Sequence, residues 1–247
     1  EGERVRVTAA THRAINNALN KVAEVAPELP AIKIGQAIQA NDLEVPNYEN
    51  FQSSPMAEME KGYVIGATPF ALRTNRLKGV EFETVIFDEA SQITLPLAIM
   101  GMLAAKRFIF IGDHKQLPPV FQANHQSNAL LKTSVFGFLA GRGFDTMLSE
   151  TYRLNAELVE WPGLAFYNGE LTPIPEIVAR RIAYTHPPAR LEDILDPQHV
   201  KVFLDLAHRN NTTQSQREAS VIVDLVLTLL EIIESFIEFR REVVRRR

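Results

Sequence analysis

Two apolar runs in this chain end in side chains able to handle a phosphoanhydride. Val85-Ile86-Phe87 runs into Asp88-Glu89, and Phe108-Ile109-Phe110-Ile111 runs into Gly112-Asp113-His114-Lys115-Gln116. Breaking a phosphoanhydride with water requires a carboxylate that holds Mg²⁺ and a second group that orients the attacking water. Adjacent acids diverge from a strand end, so one can face a metal while the other faces substrate. Gln116 is a neutral donor and acceptor able to sense a terminal phosphate, and Pro118-Pro119 stiffens the chain behind it through fixed φ angles. Taken alone, Asp88-Glu89 also reads as a solvated strand end; the Gly-Asp-His-Lys-Gln element nearby favours the chemical reading.

Those groups need a scaffold. Two buried strands delivering polar groups at their C-terminal ends form the ligand edge of an open α/β sheet. Further short strands are expected at Arg4–Thr8, Ala31–Gly35, Gly62–Ala67, Thr146–Leu148 and Val200–Leu204. Helical spacing is expected over Thr11–Val25, with Thr11 as its cap, and over Leu97–Ala105, Asn128–Leu139, Asn155–Phe166 and Gln216–Phe236. Asn41–Lys61 reads as a surface excursion, and Leu171–Gln198 as irregular chain with room for a strand hairpin. Strands alternating with helices predict a parallel-sheet α/β protein. The spacing divides it near Gly141–Glu150, into residues 1–145 and 146–247.

Composition narrows the class. Hydrophobic residues make up 46% and charged residues 23%, as in an ordinary globular chain. No apolar run reaches the roughly 18 residues of a membrane span, and the opening Glu1-Gly2-Glu3-Arg4 is unlike a secretory signal, so an intracellular setting without a membrane partner is expected. There is no cysteine, hence no disulfide or thiolate metal site. The net charge of -4 means that contact with nucleic acid must use a local basic surface.

The motifs in order resemble superfamily 1 helicases, in the subgroup of the nonsense-mediated-decay helicase and the Okazaki-fragment nuclease-helicase. Asp88 to Gln92 (DEASQ) resembles motif II, and Gly112 to Pro119 (GDHKQLPP) motif III. Thr8 to Leu19 (TAATHRAINNAL) is similar to motif Ia, Gly66-Ala67-Thr68 to the next nucleic-acid-contact motif, and Leu148 to Asn155 (LSETYRLN) to motif IV. Phe166 to Leu171 and Glu218-Ala219 also resemble subgroup elements, and Phe239 to Val243 faintly resembles a later one. GDHKQLPP at this distance from DEAS is the most specific of these likenesses.

The resemblance implies a RecA-like P-loop NTPase core that uses ATP and Mg²⁺ and moves on single-stranded DNA or RNA. Asp88 would hold Mg²⁺, Glu89 would activate water, and Gln116 would couple the γ-phosphate to the nucleic-acid surface. Arg153 would reach the γ-phosphate, and Tyr152 would lie near the base. Thr11, His12 and Thr68 would lie on the nucleic-acid track. Read without the family, Thr11 is a helix cap and Tyr152-Arg153 a half-buried aromatic beside a surface arginine.

The Walker A pattern, Gly-x₄-Gly-Lys-[Ser/Thr], does not occur in these 247 residues. The expectation is therefore a motor core cut at both ends, its first domain lacking the phosphate loop and its second incomplete, inactive by itself although its parent is an enzyme. Two alternatives stay open: a non-catalytic nucleic-acid- or protein-binding module on a helicase fold, and a phosphohydrolase holding a metal on Asp88 and Asp113. His12, His114, His125, His186, His199 and His208 lack ligand spacing for zinc.

Overall fold

The computed structural model describes residues 2–120, 129–184, 188–207, 209 and 211–245. They form two compact units, Glu1–Thr146 and Met147–Arg247. The first holds β1 (Arg4–Thr8), α1 (His12–Val25), β2 (Ala31–Ile34), β3 (Asn47–Tyr48), β4 (Tyr63–Gly66), β5 (Phe82–Phe87), α2 (Leu95–Met102), β6 (Ala105–Phe110) and α3 (Val135–Leu139). The six strands make one sheet in the order β3-β2-β4-β1-β5-β6. Every pairing is parallel.

A parallel sheet needs cover on both faces. On one face, Ile15 and Leu19 of α1 pack with Val7, Ala31 and Val64. The helix comes so close to β4 that a Cβ at Gly66 would stand 2.4 Å from Leu19 Cδ1. That contact seats the start of α1 above the C-terminal ends of β1 and β4. On the other face, Ile32, Ile65, Val85 and Phe87 pack with Leu77, Ile93, Ala98 and Val135. Cover runs out at β6. Phe110 stacks on Phe87 with ring centroids 4.7 Å apart, whereas Ile109 and Ile111 remain 44% and 48% exposed.

The second unit holds β7 (Glu150–Thr151), α4 (Ala156–Tyr167), β8 (Thr172–Pro173) and α5 (Gln216–Arg245). β7 and β8 pair in parallel, Glu150 opposite Thr172. Asn155 caps α4 by accepting from the Leu158 N–H at 3.0 Å. Helical spacing puts Val221, Leu225, Leu229 and Ile232 along one face of α5; the first three are half-buried and the side chain of Ile232 lies outside the described residues, while Ile222, Val223, Val226, Leu227 and Leu230 are exposed.

Several expectations need correction. Asn41–Lys61 is more than a surface excursion: β3 extends the sheet, and Phe51 and Met56 enter the core. β6 is an edge strand among the described residues, half-covered rather than buried. The helix expected at Leu97–Ala105 starts and ends earlier, because Ala105 already pairs with Phe82. Asn128 lies outside the described residues, and a single helix up to Leu139 is replaced by a 3₁₀ turn at Ala129–Lys132 and α3. The break comes at Ser134, whose hydroxyl accepts from the Gly137 N–H and caps α3. Thr146–Leu148 and Val200–Leu204 form no ladder. Their β-formers have no strand beside them among the described residues, and a strand exists only through a neighbour. A hairpin in Leu171–Gln198 is also absent among the described residues, since β8 returns through α4 and a helical return makes the pair parallel. Phe239–Val243, which faintly resembles a later element of the subgroup, lies on the backbone of α5.

Candidate nucleotide and nucleic-acid edge

All six strands of the first unit point the same way, so the segments that follow them emerge on one edge. Asp88 and Glu89 follow β5, and Gly112 to Gln116 follow β6. The two loops are stitched together: Ile111 N–H donates to the Phe87 carbonyl and Ala90 N–H to the Ile111 carbonyl, both at 2.8 Å. Asp88 N–H donates to the Thr8 carbonyl at 2.8 Å, which ties the acids to β1 as well. Glu89 sits at φ 50°, ψ 43°, a left-handed conformation uncommon for a residue with a side chain. Asp88 is half-buried and Glu89 exposed. Neither carboxylate has a side-chain hydrogen bond or ion-pair partner among the described residues, so both donor sets are unspent.

Gln116 is exposed, and its Nε2 donates to Asp113 Oδ2 at 2.9 Å. Asp113 Oδ1 accepts from the Lys115 N–H at 2.9 Å. From sequence, Asp113 stood only as an alternative metal ligand; the available signal was its three-residue spacing from Gln116 in a tight turn. His114 stacks near Phe136, with centroids 6.1 Å apart. Among the described residues no group of three or more His, Asp or Glu side chains could hold a metal ion.

Thr11, His12 and Thr68 follow β1 and β4, which are neighbours in the sheet. Thr11 Oγ1 accepts from the Ala14 N–H at 3.2 Å, so it caps α1. Thr68 precedes a 3₁₀ turn, and its carbonyl accepts from the Ala71 N–H. The Nδ1 atom of His12 is buried without a partner among the described residues. Burial, then the nearby charges of Lys33 and Arg76, hold the His12 imidazole below its usual range and therefore neutral at neutral pH. Lys33 is a residue that sequence reasoning missed. It is fully buried on β2, and its Nζ donates to Asn16 Oδ1 at 2.6 Å and to the Gln39 carbonyl. Asn16 in turn donates to the Gln39 and Asn41 carbonyls. A lysine inside the apolar run Ala-Ile-Lys-Ile was the signal for this network beneath His12.

In the second unit Tyr152 is 70% exposed. The loop of Arg153 is pinned at both ends: its N–H donates to Thr151 Oγ1 at 3.2 Å, and its carbonyl accepts from Arg180 Nη2. Asn155 Nδ2 returns a bond to the Arg180 carbonyl at 2.7 Å. The Arg153 guanidinium has no ion-pair partner among the described residues. His199 pairs with Asp196 at 3.0 Å, while His125, His186 and His208 lie outside the described residues.

Part of this edge is matched by a known family. A family model described as an AAA domain covers residues 46–124, which takes in β3 to β6 and both loops. The DNA replication ATP-dependent helicase/nuclease DNA2 of Saccharomyces cerevisiae is 28% identical over 226 residues, covering 83% of this chain and 15% of that protein. The human DNA2 is 28% identical over 183 residues, covering 69% and 17%. An uncharacterized ATP-dependent helicase of Methanocaldococcus jannaschii, MJ0104, is 33% identical over 125 residues, covering 50% and 18%. The matches support a superfamily 1 helicase-like family. The six-stranded parallel sheet is consistent with a RecA-like P-loop NTPase-type domain. The chain spans less than a fifth of the length of these curated relatives. No helix among the described residues is long and apolar enough to cross a membrane.

Proposed function

We propose that this chain forms part of the motor of an ATP-dependent helicase or translocase acting on single-stranded DNA or RNA. Residues 1–145 and 146–247 would then contribute to its two RecA-like halves. The observation that carries the reading is the pair of carboxylates after β5 that have no partner among the described residues, stitched through the backbone to the Gln116 loop after β6. Unspent oxygen donors on a loop tied to the loop of Gln116 leave both carboxylates available to Mg²⁺-ATP.

In this reading Asp88 holds the metal, and Glu89 takes a proton from the attacking water. Gln116 contacts the terminal phosphate, Tyr152 lies against the base, and Arg153 stabilises charge on the transferring phosphoryl group. Mg²⁺-ATP supplies the phosphoanhydride and the charge neutralisation. Thr11, His12 and Thr68 meet the strand backbone, and a neutral His12 donates or accepts without adding charge. These 247 residues contain no Walker A pattern, so this reading needs a phosphate-binding loop beside β6. Its strand would pair with the open side of β6, and its helix would cover Ile109 and Ile111.

The test is strand-stimulated ATP hydrolysis by the chain joined to a Walker A-bearing segment. Glu89→Gln should abolish turnover while ATP binding persists. Turnover that survives the substitution would remove Glu89 from its role. Strand binding without turnover in either protein would leave the binding-module alternative.

A further inference from the structure

We infer that Asp113 is the positioning residue for Gln116, an inference that rests on the proposed nucleotide site. An exposed glutamine at the surface of a loop samples many rotamers, and ordering it at each encounter with a phosphate costs entropy. Here that ordering is already done. One hydrogen of Gln116 Nε2 is donated to Asp113 Oδ2 at 2.9 Å. The other carboxylate oxygen takes the Lys115 N–H at 2.9 Å, and the Asp113 carbonyl takes the Gln116 N–H at 3.2 Å. The same aspartate therefore fixes both the turn and the side chain that the turn presents.

The bond also fixes which end of the amide is nitrogen. A carboxylate only accepts, so the Nε2 end must face Asp113. One Nε2 hydrogen and Oε1 stay uncommitted among the described residues. Gln116 can then donate to a phosphate oxygen while remaining bonded to Asp113, with no need for the contact to break. The platform beneath is rigid. Ile111 and Ala90 are bonded across the two loops, and Gly112 rests on the backbone of Ala90 and Ser91.

Asp113→Asn separates positioning from folding. The introduced amide oxygen still accepts the Lys115 N–H, but the introduced amide nitrogen now faces Gln116, and two donors cannot bond. The Gln116 amide turns over and offers Oε1 to that nitrogen, so the end presented to phosphate is inverted. In the isolated chain the side-chain NH₂ pair of Gln116, observed by ¹⁵N-resolved NMR, should be rigid and well split in the wild type. In Asp113→Asn it should move toward the free-amide position, because Nε2 no longer donates to residue 113. An unchanged pair would overturn the inference.

In the Walker A-joined chain, Asp113→Asn should lower strand-stimulated kcat roughly tenfold with a smaller change in KM for ATP. In a Gln116→Ala background it should cause no further loss, because the residue it positions is gone. Additive losses would mean that Asp113 acts by another route. Absence of turnover in the wild-type joined chain would count against the helicase reading alone, and the NMR comparison would still decide the role of Asp113.

Discussion

Gly112 lies against Ser91 so closely that a Cβ at position 112 would stand 2.9 Å from the Ser91 backbone nitrogen. It would also stand 3.0 Å from that of Ala90. The loop after β6 therefore rests directly on the turn that carries Asp88 and Glu89. Backbone cannot rotate away as a flexible side chain can. Gly112→Ala should lengthen the bond from Ala90 N–H to the Ile111 carbonyl and cost about 1–3 kcal/mol, as forced overpacking does. Urea denaturation measures the loss, and the amide shifts of Ala90 and Ser91 locate it. A variant as stable as the wild type, with those shifts unmoved, would mean that the two loops are not in this contact.

Arg6 is 0% exposed on β1, and its Nε and Nη1 have no partner among the described residues. Its remaining bond, from Nη2 to Thr8 Oγ1, is long at 3.4 Å. Burial pushes the guanidinium down to about 10. A base whose pKa falls on folding is penalised wherever it is charged, so the cost is full below that value and fades above it. Arg6→Met should therefore stabilise the first unit by about 1–3 kcal/mol, as hydrophobic replacement of buried charge often does. The gain should be flat through neutral pH and shrink above about pH 10. Thermal melts across that range test it; a destabilised variant would mean that Arg6 finds its partners in solution.

Glu83 on β5 accepts from both the side chain and the backbone of Arg4: Nη2 donates to Oε1 at 2.6 Å, Nε to Oε1 at 3.1 Å and to Oε2 at 3.2 Å, and the backbone N–H to Oε2 at 2.7 Å. The side-chain bond from Arg4 is the main cause that holds this carboxyl at about 2 rather than 4.5. An acid whose pKa falls on folding stabilises the fold above its unfolded value and loses that contribution as pH drops through the folded one. The pair is a third exposed, so solvent screens it to about 1 kcal/mol. Glu83→Gln should cost about that much at neutral pH, with the two stability curves converging between pH 4.5 and about 2. Curves that stay parallel to the acid end of that window would assign the loss to packing.

Much of this molecule could be read from the chain alone. Alternating apolar residues in Arg-Val-Arg-Val-Thr, the helical spacing of Ile15, Leu19 and Val22, and the cap at Thr11 are local signals, and local signals survive without context. The residue types at Asp88, Glu89 and Gln116, and their places after two strands, were legible for the same reason. Strand order was not. Asp88 and Gln116 are neighbours on the edge because β5 pairs with β6. Thr11 and Thr68 are neighbours because β1 pairs with β4, although they are far apart in sequence. Pairing is a long-range choice settled by which faces bury together, and no local period encodes it. The same reason explains the failures. Val200–Leu204 has the composition of a strand and no neighbour among the described residues. Phe51 and Met56 reach the core from a segment without periodicity, and Ile109 stays exposed inside an apolar run because β6 is an edge among the described residues. Asp113 and Gln116 stand three residues apart in the sequence, but only the turn brings carboxylate and amide to 2.9 Å. Sequence determined which groups are present; the packing of the sheet decided which of them meet.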